Sequence, residues 1–182
     1  MPEPATAVAT LDLPTVLRFS ELALEALGAA REEIDALNVY PVPDSDTGTN
    51  LYLTFEAAHE ALLDAVGDDP ATADLRAALH AFARGALLGA RGNSGVIFSQ
   101  LAGALVKRLA EAGPEDRSAA VFADGLRLAS EASYAAVGEP VEGTILSVAR
   151  SAAESAGAAA ADERLRLGHV IRAAASGARE AL

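Results

Sequence analysis

The chain has 182 residues, 51% of them hydrophobic, which suffices for one domain whose core needs no covalent staples. It contains no cysteine, so disulfides, thiolate catalysis and cysteine-bound zinc or iron–sulfur centres are excluded. The net charge is −12, and Lys107 is the sole lysine among 14 basic residues. That balance disfavours a general nucleic-acid-binding surface, and Lys107, in AGALVKRLA, lacks the glycines of a GxxxxGK[ST] phosphate loop. Aromatics make up 4% while alanine occurs 44 times, a composition suited to closely approaching helices.

His59, His80 and His169 form no HExxH, and the N-terminus lacks the basic-then-apolar pattern of a signal peptide. No stretch approaches the roughly 20 uncharged apolar residues of a membrane helix. A cytoplasmic location with no transmembrane segment is therefore expected.

Residues 1–11 read as a mobile tail and 12–182 as a single domain. Asp12 and Pro14 open a first helix, whose apolar positions Leu17, Leu24, Leu27, Ile34 and Leu37 recur at helical spacing. The run breaks at NVYPVPDSDTGTN, where Pro41 and Pro43 push Tyr40 and Val42 into extended geometry. Helix resumes near Thr49 and continues to about Val66. Thr72 or Asp74 caps a third helix through Leu75, Leu79 and Phe82. After GALLGARGNSG, a fourth helix carries Val96, Ile97, Leu101, Leu105 and Leu109. A fifth runs from about Asp116 to Val137, and others start near Thr144 and Asp162. SAAESAGAAAADE reads as a small-residue helix face or a frayed end. With no convincing alternating strand, the expected fold is all-α, an antiparallel bundle of about seven or eight amphipathic helices.

The chemistry concentrates between Asn38 and Asn50. Asp44 and Asp46 are two apart in a proline-stiffened extended segment, which puts both carboxylates on one side. Paired hard oxygens suit Mg²⁺, and Asn38 offers a neutral amide oxygen. The same residues also read as a solvated acidic turn in which Asp44 or Asp46 caps the next helix, and a general acid/base pair stays open. An EF-hand starting at Asp44 fails, because its sixth and twelfth positions hold Thr49 and Phe55. An aspartyl-phosphate site fails too, since two prolines preclude a regular central strand before it. Thr47, Gly48, Thr49 and Asn50 then open a helix whose free N–H groups and dipole favour phosphate. A second glycine-rich helix start, Gly89 to Gly95, repeats that hardware with Arg91 beside it. Two anion cradles and a metal pair suggest a bound nucleoside triphosphate. Tyr40 and Phe98 are candidates to border an acceptor channel, Tyr52 and Phe55 to form core or pocket wall, and the histidines to be structural.

NVYPVPDSDTGTN, GARGNSGVIFSQ and PVEGTILSVAR, in this order, resemble the N-terminal kinase domains of bacterial fatty acid kinase A subunits, relatives of the dihydroxyacetone kinase L subunit. The resemblance spans roughly Leu13 to Leu182. It implies an all-α barrel whose loops at one end hold ATP with two magnesium ions. By position it assigns metal coordination to Asn38, Asp44 and Asp46, with Asp44 and Asp46 also carrying catalysis. It assigns phosphate binding to Thr47, Gly48, Thr49, Asn50, Gly92, Asn93 and Ser94, and places Gly143 and Thr144 near the nucleoside. The usual glycine between the aspartates is Ser45, which disfavours a positive φ. The resemblance further implies a separate fatty-acid-binding B subunit that presents the acceptor, exchange of ATP for ADP, a homodimer formed through the full-length subunit, and a chain that is an N-terminal fragment of it. A dihydroxyacetone kinase L-like subunit acting on a small ketose or triose, and a non-enzymatic metal-stabilised helical module, are the competing readings.

Overall fold

A computed structural model describes residues 11–38, 45–141 and 143–182. Among the described residues the regular elements are seven α-helices: α1 Leu13–Leu37, α2 Thr47–Val66, α3 Leu75–Leu88, α4 Gly92–Ala110, α5 Ser118–Ala135, α6 Ile145–Ala160 and α7 Leu167–Glu180. The expected tail lies outside the described residues apart from Leu11.

Local capping chemistry accounts for most boundaries. Asp12 accepts the Thr15 N–H at 3.0 Å, with Pro14 in the first turn of α1. Asp74, rather than Thr72, caps α3 by accepting the Ala77 N–H at 2.9 Å. Helix α7 starts at Leu167 and not near Asp162, because the Asp162 carboxylate accepts the Arg164 N–H at 3.0 Å and closes a turn there.

Each helix packs extensively on the next, and α2 also meets α4 while α5 meets α7. Hydrogen bonds between the starts and ends of neighbours fix the antiparallel sense. Arg117, before α5, reaches the Ala160 carbonyl that ends α6, and Ser151 of α6 donates to Gly177 of α7 at 2.8 Å. Consequently α2, α4 and α6 all begin at the end of the bundle where α1, α3 and α5 finish. α1 and α7 are the two edges of the array, and Phe19 and Leu22 stay exposed on α1.

The core is assembled from small clusters. Leu62 and Val66 of α2 meet Leu13 and Ala78, and Ala58, Ala86 and Ala102 join α2, α3 and α4. Between them Phe55 packs edge-on against Phe82, ring centroids 5.4 Å apart, and against Phe98 at 5.5 Å. Phe98 therefore belongs to the core packing. In the other half, Ala119, Ala123, Ala156, Val170 and Ala174 knit α5, α6 and α7, which shows the alanine-rich SAAESAGAAAADE segment to be a packed helix face.

Candidate functional site

The last turn of α1 and the first turn of α2 are joined by one side chain. Asp35 accepts the Thr49 N–H at 3.0 Å on one oxygen and the Thr49 hydroxyl at 2.7 Å on the other, while its own carbonyl accepts the Asn38 N–H at 3.2 Å. Partial burial pushes the Asp35 carboxyl up. Hydrogen bonds from the Thr49 hydroxyl and from the Thr49 and Gly48 N–H groups, with the Arg31 charge, outweigh that and hold it below the usual carboxylate range. Thr49 thus spends both of its donors inside the protein. Gly48 is buried, and a Cβ there would run into the Arg31 carbonyl and lie 3.0 Å from the Ile34 Cβ, so its missing side chain serves the approach of α2 to α1.

Asp46 occupies the N-cap position of α2. Its carbonyl accepts the Asn50 N–H at 2.7 Å, but its carboxylate makes no cap hydrogen bond, so its oxygens are not consumed by the helix. Asn38 terminates α1 with extended backbone and is half-buried. These hard oxygen donors fit magnesium rather than a softer ion. Asp44, the third expected ligand, and Tyr40 lie outside the described residues, and among the described residues no group of three or more His, Asp or Glu side chains is placed to hold a metal. Ser45 adopts φ +54, the left-handed geometry that its side chain disfavours.

The second glycine-rich turn is bolted to the first. Thr54, fully buried on α2, donates to the Asn50 carbonyl at 2.6 Å and accepts the Arg91 N–H at 3.0 Å. The Asn50 amide lies against the Gly92 Cα, where φ is +55 and any Cβ would collide with it. Ser94 reaches the Thr47 carbonyl at 3.5 Å. The starts of α2 and α4 are therefore side by side. Neither helix is capped by its own N-cap side chain, but Asp35 accepts from the first turn of α2, whereas the N–H groups of Gly92, Asn93 and Ser94 in α4 find no acceptor among the described residues. Gly92 and Asn93 are exposed. Arg91 is exposed as well and forms no ion pair among the described residues.

At the start of α6, Thr144 donates to the Val141 carbonyl at 2.8 Å and accepts the Leu146 N–H, while the Gly143 N–H donates to Ser147 at 2.8 Å. This turn shares the bundle end with the other two, but no described hydrogen bond ties it to them.

Residues 41–182 match the model of the DAK2 domain. The chain belongs to the DAK2-domain family. Uncharacterized proteins of Staphylococcus are among its relatives: one of S. saprophyticus is 41% identical over 145 residues, covering 76% of this chain and 24% of that protein. One of S. epidermidis is 43% identical over 123 residues, and one of S. aureus 41% over 123 residues, each covering 68% of this chain and 21% of the relative. The chain thus spans about a quarter of the length of these curated relatives. DAK2 domains are helical, kinase-related modules of the dihydroxyacetone kinase L-subunit type, associated with nucleotide binding.

In this DAK2 domain an open groove of about 710 Å³ runs between α5 and α6 past Asp124, Arg127 and Glu154, and is lined by none of the site residues just described. Its Tyr134–Arg150 end, with the guanidinium 5.4 Å over the ring, lies less than two turns from the start of α6. No described helix of the DAK2 domain is long and apolar enough to cross a membrane. His59 bonds to Ser20 at 3.1 Å, while His80 and His169 are exposed. Two residues of the site escape a reading of the sequence, Asp35 and Thr54. An acidic residue in the last turn of a helix opposes its dipole, and that mismatch at Asp35 is the one signal available.

Proposed function

We propose that this DAK2 domain is the ATP- and magnesium-dependent phosphoryl-transfer module of a fatty acid kinase, acting on a fatty acid presented by a separate lipid-binding B subunit. The observation that carries the reading is the juxtaposition of two helix starts, one with the uncommitted Asp46 carboxylate and one with an open first turn, on a chain of this kinase-related family.

In this reading Asn38, Asp44 and Asp46 hold two magnesium ions. Gly92, Asn93 and Ser94 donate their free N–H groups to phosphate oxygens, and Thr47 and Asn50 border the same space. Gly143 and Thr144 border the nucleoside. Magnesium, when bound, neutralises charge on the transferring phosphoryl group. The acceptor carboxylate is ionised at neutral pH and is itself the nucleophile, so the γ-phosphorus gains an acyl oxygen as its bond to the bridging oxygen of ADP breaks, and no proton has to be removed. No histidine is needed, in keeping with the three histidines lying outside this group of residues. Because the match covers only about a quarter of the curated relatives, this reading assigns the homodimer and the B-subunit contact to a full-length subunit that acts in the cytoplasm.

Calorimetry with Mg²⁺ and a non-hydrolysable ATP analogue tests the reading. Asp44→Ala combined with Asp46→Ala is expected to abolish binding while circular dichroism stays helical; undiminished binding in the double variant refutes it. Phosphorylation assays with fatty acid on a B subunit, and with dihydroxyacetone and its partner subunit, separate the two kinase chemistries. If Mg²⁺ raises the melting temperature and ATP adds nothing, the chain is a metal-stabilised helical module.

A further inference from the structure

Asp35 sits at the crossing point of the site. Its backbone carbonyl holds Asn38 at the end of α1, and its carboxylate holds Thr49 in the first turn of α2. Asp46 stands three residues before the second of these anchors, at the N-cap of α2.

The arrangement is costly for α1 taken alone, because a carboxylate in a C-terminal turn faces the negative end of its own helix. It is favourable only with α2 in place, whose positive end and otherwise unpaired N–H groups receive the charge. A phosphate seeking the Thr49 N–H and hydroxyl would have to displace a carboxylate of like charge that is tethered in place, at a high effective concentration. Thr49 is therefore not available as a phosphate ligand. Gly48 is likewise turned toward α1, with no room for a side chain.

We propose that Asp35 is a positioning residue that, through Thr49, fixes the start of α2 and the Asp46 carboxylate relative to Asn38, so that Thr49 supports nucleotide binding without touching the nucleotide. The inference rests on the assignment of Asn38 and Asp46 to metal and of the α4 turn to phosphate.

A double-mutant cycle on the chain tests it, with affinity for a non-hydrolysable ATP analogue read by calorimetry at several Mg²⁺ concentrations. Asp35→Asn and Thr49→Val are each expected to weaken binding about tenfold, the loss of a hydrogen bond to a charged acceptor. The double variant is expected to lose about tenfold as well, because both changes remove one interaction. Thr49→Ser, which keeps both donors, should bind as the wild type does, and the weakened variants should demand more Mg²⁺. Losses that multiply to about a hundredfold would mean that Thr49 contacts the ligand independently, and they overturn the proposal; so does unchanged affinity in Asp35→Asn. If Asp35→Asn fails to fold, equal affinities of Thr49→Val and Thr49→Ser overturn it instead. A wild-type chain that binds no Mg²⁺–nucleotide removes the kinase reading and the positioning role together, whereas wild-type binding with multiplying losses removes only the latter.

Discussion

Ser45 turns the backbone through φ +54 immediately before Asp46. A residue with a Cβ pays roughly 1–2 kcal/mol for the left-handed region, while glycine enters it freely but loses more chain entropy on folding. Relief of strain exceeds the entropy loss, so Ser45→Gly is expected to stabilise the protein by about 0.5–1 kcal/mol, read as a higher urea midpoint with an unchanged slope. A lower midpoint would show that the serine side chain contributes more than its backbone costs. Single residues also mark the limit of what the sequence discloses. Asn38 and Asp46 are legible because oxygen donors near a helix junction announce themselves by type and spacing. Asp35 and Thr54 are not, since each acts on a helix distant in sequence, 14 and 37 residues away. Gly48 is legible as a glycine that matters, but the reason it matters is the Arg31 carbonyl, which no local pattern reveals.

Helices were the most legible level, because apolar spacing and caps such as Asp12 and Asp74 are local signals. The starts of α2 and α4 fall earlier than periodicity suggests. Their first turns are polar and glycine-rich, and they are held from outside, by Asp35 at Thr49 and by Thr54 at Arg91. The glycine cluster around α3 and α4 similarly divides by environment. Gly92 faces the open turn, whereas Gly85 and Gly89 let α3 descend onto Ala57 of α2. At Gly85 a Cβ would stand 2.6 Å from the Ala57 carbonyl and 2.6 Å from the Ala61 Cβ, contacts with backbone and a methyl group that cannot swing aside. Gly85→Ala gains about 1 kcal/mol in helix propensity but forces the two helices apart, an overpacking cost of about 1–3 kcal/mol. A net loss of stability is expected in urea unfolding, accompanied by weaker nucleotide binding if the α2 and α4 starts separate. Stabilisation instead would show that the α2–α3 contact relaxes without resistance.

Across the whole molecule the charge of −12 repels a nucleotide at long range, so binding has to be won locally, by metal and by uncapped N–H groups at the α4 start. The same excess complicates any acid titration, because protonating carboxylates relieves general repulsion while breaking particular pairs. Asp124 isolates the second effect. Its carboxylate receives the Arg127 guanidinium at 2.8 Å and, from α4, the Arg108 Nε–H at 2.8 Å. Hydrogen bonds first from Arg127 and then from Arg108 hold its carboxyl below the usual range, against a smaller opposing push from burial. A carboxyl whose folded value lies below its unfolded one stabilises the fold fully above the ordinary carboxylate range. That contribution fades as the pH falls through the ordinary range and is gone below the depressed value. Asp124→Asn removes the titration and changes the net charge by a single unit, leaving the background repulsion nearly as it was. In urea unfolding measured from neutral to acid pH, the wild type should exceed Asp124→Asn at neutrality and the two should converge in acid. A difference that stays constant across the titration would mean that the α4–α5 junction draws on the shape of the Asp124 side chain and not on its charge.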